Sequence, residues 1–215
     1  MQPFRFEIPD VEPDQVLRLQ SELGTSGPLA QVLVRRGLAE PELAREFLDG
    51  APEHEPAGFR GIGEAVSLVL SHVRDAGRIT VHGDYDVDGI CSTAILVRVL
   101  RLLGGDVDSY IPDRAGDGYG LSSETVERLA ARGTRLLITA DCAITAVEEV
   151  AQARALGVDV LVTDHHTPRP DGQLPDAPIV HPAVCGYPFP DLCAAAVAYK
   201  LARALCAAAQ RSGNG

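Results

Sequence analysis

Hydrophobic and polar positions follow two alternating patterns along the second part of the chain. Short runs rich in β-branched apolar residues are separated by longer amphipathic runs, which predicts strands that alternate with helices. The predicted strands are Arg78–His82, Val107–Ile111, Leu136–Ala140, Val158–Thr163 and Ile179–His181. The predicted helices lie near Gly63–Arg74, Ile90–Leu103, Ser122–Arg132, Thr145–Leu156 and Asp191–Ala209. This alternation predicts an α/β fold with a doubly wound, mostly parallel five-stranded sheet and helices on both faces.

The first 60 residues follow a different pattern and are rich in Pro, Gly and Glu. Their apolar spacing predicts helices near Pro13–Leu23 and Pro28–Leu48. Residues 49–58 contain the helix breakers that are typical of a linker. We therefore predict a small helical N-terminal lead with its linker over residues 1–60, followed by an α/β domain over residues 61–215.

Composition narrows the class of protein. The chain has 215 residues, of which 46% are hydrophobic and 23% are charged, and these values are typical of globular proteins. No apolar run is long enough to span a membrane, and no basic segment followed by an apolar one opens the chain, so we expect a cytoplasmic protein with no membrane partner. The five cysteines include no C-x-x-C pair, which favours reduced thiols over a disulfide framework or a zinc site.

Acidic residues and histidines cluster directly after the predicted strands. Four of the six histidines lie there, together with most of the aspartates outside helices. Ligands of open α/β sheets bind beyond the carboxyl ends of the strands, so we expect these side chains to meet at one edge of the sheet. The candidates are His82, Asp84, Asp86, Asp88, Asp113, Asp117, Asp141, Asp164, His165, His166 and His181.

Such a cluster predicts bound cations, because several carboxylates at close range cannot all stay ionised without them. Oxygen and imidazole donors without thiolates favour Mn²⁺ or Mg²⁺, with Zn²⁺ or Fe²⁺ as alternatives. The number of candidate ligands favours two ions, an arrangement typical of phosphate-ester hydrolysis. The net charge of the chain is −11, which argues against nucleic-acid binding. Bound cations would reverse the sign of the electrostatic potential near the site and so allow it.

Single members of this cluster also have structural explanations. An aspartate at a strand end is most often the N-cap of the next helix. Asp88-Gly89 and Asp117-Gly118 are ordinary turn sequences, and His181-Pro182 is typical of a strand terminator. The triplet of Asp164, His165 and His166 is harder to explain in this way, because crowding three such groups is costly.

Four ordered motifs resemble those of the DHH phosphoesterase family. They are His82-Gly-Asp-Tyr-Asp-Val-Asp-Gly89, the segment from Pro112 to Ser122, Asp141, and Asp164-His165-His166. The segment from Pro112 to Ser122 and the N-terminal lead are most similar to the RecJ-type branch. This resemblance implies 5′→3′ exonuclease hydrolysis of single-stranded DNA in repair and recombination. It also implies single-stranded DNA, a single-strand-binding protein and a helicase as partners.

The resemblance also implies a role for each motif residue. His82 and Asp86 would hold one metal ion, Asp88 and His165 a second, and Asp141 would bridge the two. His166 would contact the scissile phosphate, so His166, Asp141 and His165 form the expected catalytic set. The expected outer residues, which orient ligands, are Asp84 and Asp164, and those where DNA enters are Arg114 and Tyr119.

The sequence departs from the family pattern in three places. Ala143 and the run Ala194-Ala195-Ala196 stand where the family usually has glycine. The family also continues beyond the helix at 191–209 with a motif that gives a further aspartate to the second metal, and then with a second domain. We therefore expect a DHH-type domain that is incomplete at its C-terminal end, with an incomplete second metal site and weak nuclease activity by itself.

Three other functions stay open at this point. A DHH phosphodiesterase that acts on short oligonucleotides or cyclic dinucleotides would use the same metal centre. A non-catalytic DHH-fold scaffold of a replication assembly is a second alternative, although the retained candidate ligands argue against it. A receiver domain is disfavoured, because it needs a lysine at the end of the fifth strand and Ile179–Pro182 has none.

Overall fold

A computed structural model describes residues 7–50, 53–113 and 120–213. The chain divides into two compact units, Met1–Glu53 and His54–Gly215. The division falls inside the stretch that the sequence predicts to be a linker. Arg114 and Tyr119, the predicted DNA-entry residues, lie outside the described residues.

The first unit consists of three described helices. These are α1 (Pro13–Leu23), α2 (Gly27–Arg35) and α3 (Pro41–Asp49), each with a proline in its first turn. The prediction of one helix over Pro28–Leu48 is wrong. Gly37, with φ 80°, turns the chain out of the helix, and Pro41 starts the next one. A small apolar core joins the helices through Val16, Leu19, Ala30, Leu33 and Ala44.

The second unit is built on a five-stranded sheet with strand order β2-β1-β3-β4-β5. The strands are β1 (Ile79–His82), β2 (Val107–Tyr110), β3 (Leu136–Ala140), β4 (Asp159–Thr163) and β5 (Ile179–Val180). All four pairings between neighbouring strands are parallel. The predicted doubly wound α/β sheet is therefore confirmed.

Helices cover both faces of this sheet. The helices of the second unit are α4 (Ile62–Arg74), α5 (Val87–Leu102), α6 (Ser123–Ala131), α7 (Val147–Ala155) and α8 (Ala194–Gly213). Helices α4, α5 and α8 share one apolar core with Leu136 and Ile138 of β3. Helices α6 and α7 share a second core with Leu137, which points to the opposite face. No helix in the described ranges is long and apolar enough to cross a membrane.

Candidate metal centre

Strand register brings three chemically active loops to one edge of the sheet. Strand β3 lies between β1 and β4, with Thr139 opposite His82 and Ala140 opposite Thr163. Because the strands are parallel, the loops after them leave the sheet on the same side. The residues that follow these strands are Asp84, Asp86 and Asp88 after β1, Asp141 after β3, and Asp164, His165 and His166 after β4.

The loop after β1 packs tightly on the first turn of α5. A Cβ at Gly89 would lie 2.6 Å from the backbone N and O of Asp84, so only glycine allows this approach. Oδ1 of Asp86 accepts a hydrogen bond from Gly89 N at 2.9 Å and caps α5. An exposed carboxylate and a buried one are thereby fixed side by side, Asp86 and Asp84.

Two groups of potential ligands share Asp141. One consists of Asp84, Asp86 and Asp141, and the other of Asp141, His165 and His166, with ligand atoms within 4.8 Å of one another in each. Nε2 of His165 lies 3.3 Å from Oδ1 of Asp141. In the first group, the ligand atoms of Asp84 and Asp86 lie close enough together to bind one ion. The family resemblance instead implies that Asp84 orients other ligands.

His82 and Asp88, two further predicted ligands, lie beside these groups. His82 is buried, with Nδ1 3.5 Å from the Cys142 sulfur and its ring 5.5 Å from that of Tyr110. Burial raises the pKa of the Cys142 thiol well above its usual value, which keeps it neutral. Nitrogen and oxygen atoms therefore remain the donors of this site.

Asp88 has a second structural role that its sequence context does not reveal. Its carboxylate accepts hydrogen bonds from the backbone N–H of Ala194 at 2.8 Å and of Ala195 at 2.7 Å, and so caps α8. Oδ2 of Asp88 also lies 3.6 Å from Nε2 of His165. The carboxylate thus links the predicted metal centre to the start of α8.

Asp164 organises the loop after β4. Its Oδ1 accepts hydrogen bonds from His165 N at 2.7 Å, His166 N at 3.1 Å and His166 Nδ1 at 2.8 Å. Its Oδ2 accepts one from Ile144 N at 2.8 Å. Burial disfavours the charged form of His166, but the hydrogen bond and charge of Asp164, with the charge of Asp141, raise its pKa above the usual value.

The environment of Asp141 differs from that of Asp164 in its hydrogen bonds. It is buried, its φ is 69°, and its Oδ1 makes no hydrogen bond to any described residue. Burial and then the charge of Asp88 raise its pKa to about 7, while His166 acts in the other direction. A buried carboxylate in which one oxygen lacks a donor is costly to ionise unless a cation neutralises it. The donor set around it, of carboxylates and imidazoles, fits Mn²⁺ or Mg²⁺.

The loop after β5 contains a further residue that contacts this site. His181, which the sequence analysis interprets as a strand terminator, lies with Nε2 2.8 Å from the carbonyl oxygen of His166. Its position at the end of the fifth strand, beside the other strand-end histidines, was the only signal that the sequence offered.

Several known proteins are similar to this chain in sequence. The model of the DHH family, N-terminal domain, matches residues 78–214. The single-stranded-DNA-specific exonuclease RecJ of Bacillus subtilis is 40% identical over 206 residues, which cover 94% of this chain and 26% of that protein. RecJ of Salmonella typhimurium is 44% identical over 199 residues, covering 90% of this chain and 33% of the relative. The chain thus spans about a quarter to a third of the length of these relatives.

Solved structures of RecJ have the same fold. The structure of RecJ in complex with Mn²⁺ from Thermus thermophilus matches with a TM-score of 0.69 and 34% identity, over 94% of this chain and 28% of that one. A structure of exonuclease RecJ bound to manganese matches with a TM-score of 0.63 and 42% identity, over 70% of this chain and 38% of the other. With its sheet, its strand-end motifs and a family match over residues 78–214, this chain belongs to the DHH family.

Proposed function

We propose that the chain hydrolyses phosphodiester bonds of single-stranded DNA from the 5′ end, with divalent cations that Asp141 and the potential ligands around it would hold. The observation that carries the proposal is the buried Asp141 carboxylate, which two groups of potential ligands share. Its Oδ1 has no hydrogen-bond donor among the described residues. A cation would therefore offset the cost of ionising this buried carboxylate, which His166 offsets only in part.

The proposed ligands divide between two ions, Mn²⁺ or Mg²⁺. Asp86 with His82 and Asp84 would hold the first, Asp88 with His165 would hold the second, and Asp141 would contact both. When bound, such ions supply a hydroxide at neutral pH and stabilise negative charge on the phosphate. The protein itself contributes position and charge rather than a covalent nucleophile.

His166 is the residue that we propose for contact with the scissile phosphate. Asp164 accepts a hydrogen bond from its Nδ1, which fixes the orientation of the ring. An N–H of this ring can stabilise negative charge that develops on phosphate oxygens. We retain Arg114 and Tyr119 as the residues that meet incoming DNA through phosphate pairing and base stacking.

The relatives support the substrate and the metal of this proposal. Those of Bacillus subtilis and Salmonella typhimurium are named single-stranded-DNA-specific exonucleases, and solved RecJ structures contain Mn²⁺ or Mg²⁺. On the same likeness we propose a cytoplasmic protein that takes part in DNA repair and recombination with a single-strand-binding protein and a helicase.

Calorimetric titration with Mn²⁺ tests the metal centre. We expect the chain to bind Mn²⁺ and the Asp141→Asn variant to bind it at least about 100-fold more weakly, because both ligand groups lose their shared member. Asp176→Asn is the matched control, since that carboxylate is exposed and lies outside both groups. Equal affinity in the chain and in Asp141→Asn would contradict the proposal.

Digestion of labelled oligonucleotides with Mn²⁺ tests the reaction. A 5′ label on single-stranded DNA should appear at once in a mononucleotide, whereas a 3′-labelled strand should shorten stepwise, and duplex DNA should stay intact. Cleavage of a cyclic dinucleotide but not of the oligonucleotide would instead favour a small-substrate phosphodiesterase. Mn²⁺ binding without any cleavage would favour a scaffold.

A further inference from the structure

His181 has a hydrogen-bonding arrangement that fixes its tautomer. The residue is 1% exposed and directly follows β5. Its Nδ1 lies 3.2 Å from the backbone N of Val184, and because that N–H can only donate, Nδ1 must be the acceptor. In the neutral ring the proton is then on Nε2, which donates to the carbonyl oxygen of His166 at 2.8 Å.

The hydrogen bond between His181 and His166 connects the segments that follow β5 and β4, beyond the last paired residues of the two strands. Strand β5 has only two residues, and its register with β4 ends at Thr163 opposite Val180. One further backbone bond, from Asp164 N to Val180 O at 3.3 Å, continues the pairing. His181 then reaches His166 with its side chain.

His166 is thereby held through three different atoms. Asp164 binds its backbone N and its ring Nδ1, and His181 binds its carbonyl oxygen. Fixing the backbone on both sides of a side chain restricts where the ring can go. Small displacements of a group that acts on the transition state can cost a large part of its effect.

We propose that His181 is a positioning residue for His166: through one buried hydrogen bond it keeps the His166 imidazole in place to act on the phosphate. The inference rests on the proposed function, because it concerns the same reaction. It predicts that loss of the Nε2 donor lowers kcat, since His166 acts in the transition state, and leaves KM nearly unchanged.

Two substitutions separate the two hydrogen bonds of His181. His181→Gln can place an amide N–H near the position of Nε2 and so retain the donor to His166. His181→Asn is shorter: it can retain an acceptor for Val184 N but cannot reach His166. Each variant therefore loses one hydrogen bond, and thermal unfolding should show similar stability for the two.

Kinetics with single-stranded oligonucleotide and Mn²⁺ give the first test on the full chain. We expect kcat of His181→Gln to stay within about threefold of the unsubstituted chain, and kcat of His181→Asn to fall about 10–100-fold, since a small misplacement of a group at the reacting atoms can cost about that much. KM should change less than about threefold in both, because ground-state binding is retained. Equal kcat values in the two variants, or a loss of kcat that follows the loss of thermal stability, would overturn the inference.

A second measurement does not depend on activity. In metal-free protein labelled with ¹⁵N-histidine, the His166 ring signals, assigned with a His166→Gln variant, should shift in His181→Asn and stay in place in His181→Gln. If the unsubstituted chain cleaves no DNA, the proposed function fails, while these spectra still decide whether His181 positions His166. Unchanged His166 signals in both variants would overturn the inference.

Discussion

Two neighbouring loops contain equally buried carboxylates that the protein treats in opposite ways. The side chains of Asp141, after β3, and Asp164, after β4, are each 1% exposed. Asp164 accepts four hydrogen bonds, whereas Oδ1 of Asp141 accepts none from the described residues. The first carboxylate is thus used to build the loop, and the second is the one that we propose to bind a cation.

The cost of the available carboxylate is visible in its ionisation. Burial raises the pKa of Asp141 to about 7, so the charged form that binds a cation is disfavoured in the metal-free protein. Hydrogen bonds from the backbone offset such a cost, but each of them also uses a lone pair of the carboxylate that a metal ion could otherwise take. A binding site built in this way is less stable than its surroundings until the ligand arrives.

The largest effect that we predict is a loss of folding stability when Asp164 is replaced. Asp164→Ala should lower the free energy of unfolding by about 3–5 kcal/mol, because the backbone N–H groups of Ile144, His165 and His166 would lose their acceptor. Denaturant unfolding of the metal-free protein measures this loss. Asp164→Asn, which retains one acceptor oxygen, should lose less.

A loss of under about 1 kcal/mol in Asp164→Ala would contradict the contrast between Asp164 and Asp141, because it would mean that the four hydrogen bonds do not hold the loop. Asp141→Ala is the natural partner experiment. It removes a carboxylate whose ionisation is unfavourable, so we expect it to cost the metal-free protein much less at pH 8 than Asp164→Ala does.

The second prediction concerns pH. The pKa of Asp141 in the folded chain, about 7, lies above its ordinary value of 3.8, so the folded state binds more protons between those values. Its contribution to stability is complete below about pH 4 and is lost as the pH rises towards 7. The free energy of unfolding of the metal-free protein should therefore fall, relative to Asp141→Asn, by up to about 1.4 kcal/mol per pH unit across this window.

Denaturant unfolding of both proteins at several pH values measures that difference. Saturating Mn²⁺ should remove most of the decline, because a bound cation favours the ionised carboxylate. If the free energies of unfolding of the two proteins change in parallel from pH 4 to pH 8, Asp141 does not have the raised pKa and the contrast between the two loops is wrong.

Much of the fold and the location of the site could be predicted from local sequence patterns. Apolar β-branched runs mark β1, β3 and β4, and parallel strands bring the residues after them to one edge whatever the details of packing. The division of helix Pro28–Leu48 was missed because the apolar spacing continues across a turn at Gly37 and a new start at Pro41. Gly37 and Pro41 are local signals of this division, but the apolar spacing alone predicts one continuous helix.

The division of tasks among the aspartates could not be predicted in this way. Asp88 caps α8 through Ala194, 106 positions later in the chain, and no local pattern reveals such a partner. The same applies to Asp141 and Asp164, which both look like strand-end aspartates in sequence. Only the three-dimensional arrangement of backbone N–H groups distinguishes the carboxylate that is hydrogen-bonded from the one that is not.

The smallest predicted effect concerns the backbone beside Asp141. Of the three non-glycine residues with positive φ in the described ranges, Asp141 and Ala143 are two, whereas no such residue occurs in the Asp-His-His triplet. An alanine in the left-handed region, as at Ala143 with φ 81°, costs about 1–2 kcal/mol. Glycine removes that strain but loses a buried methyl and gains freedom in the unfolded chain, each worth up to about 1 kcal/mol.

We therefore expect Ala143→Gly to change the free energy of unfolding by less than about 1 kcal/mol, since these contributions nearly cancel. Ala153→Gly is the matched control, because Ala153 is buried in the same apolar core but lies within α7. Without strain to relieve, that substitution should cost about 2 kcal/mol. Denaturant unfolding of both variants gives the difference, and equal losses would mean that the loop around Asp141 is not strained.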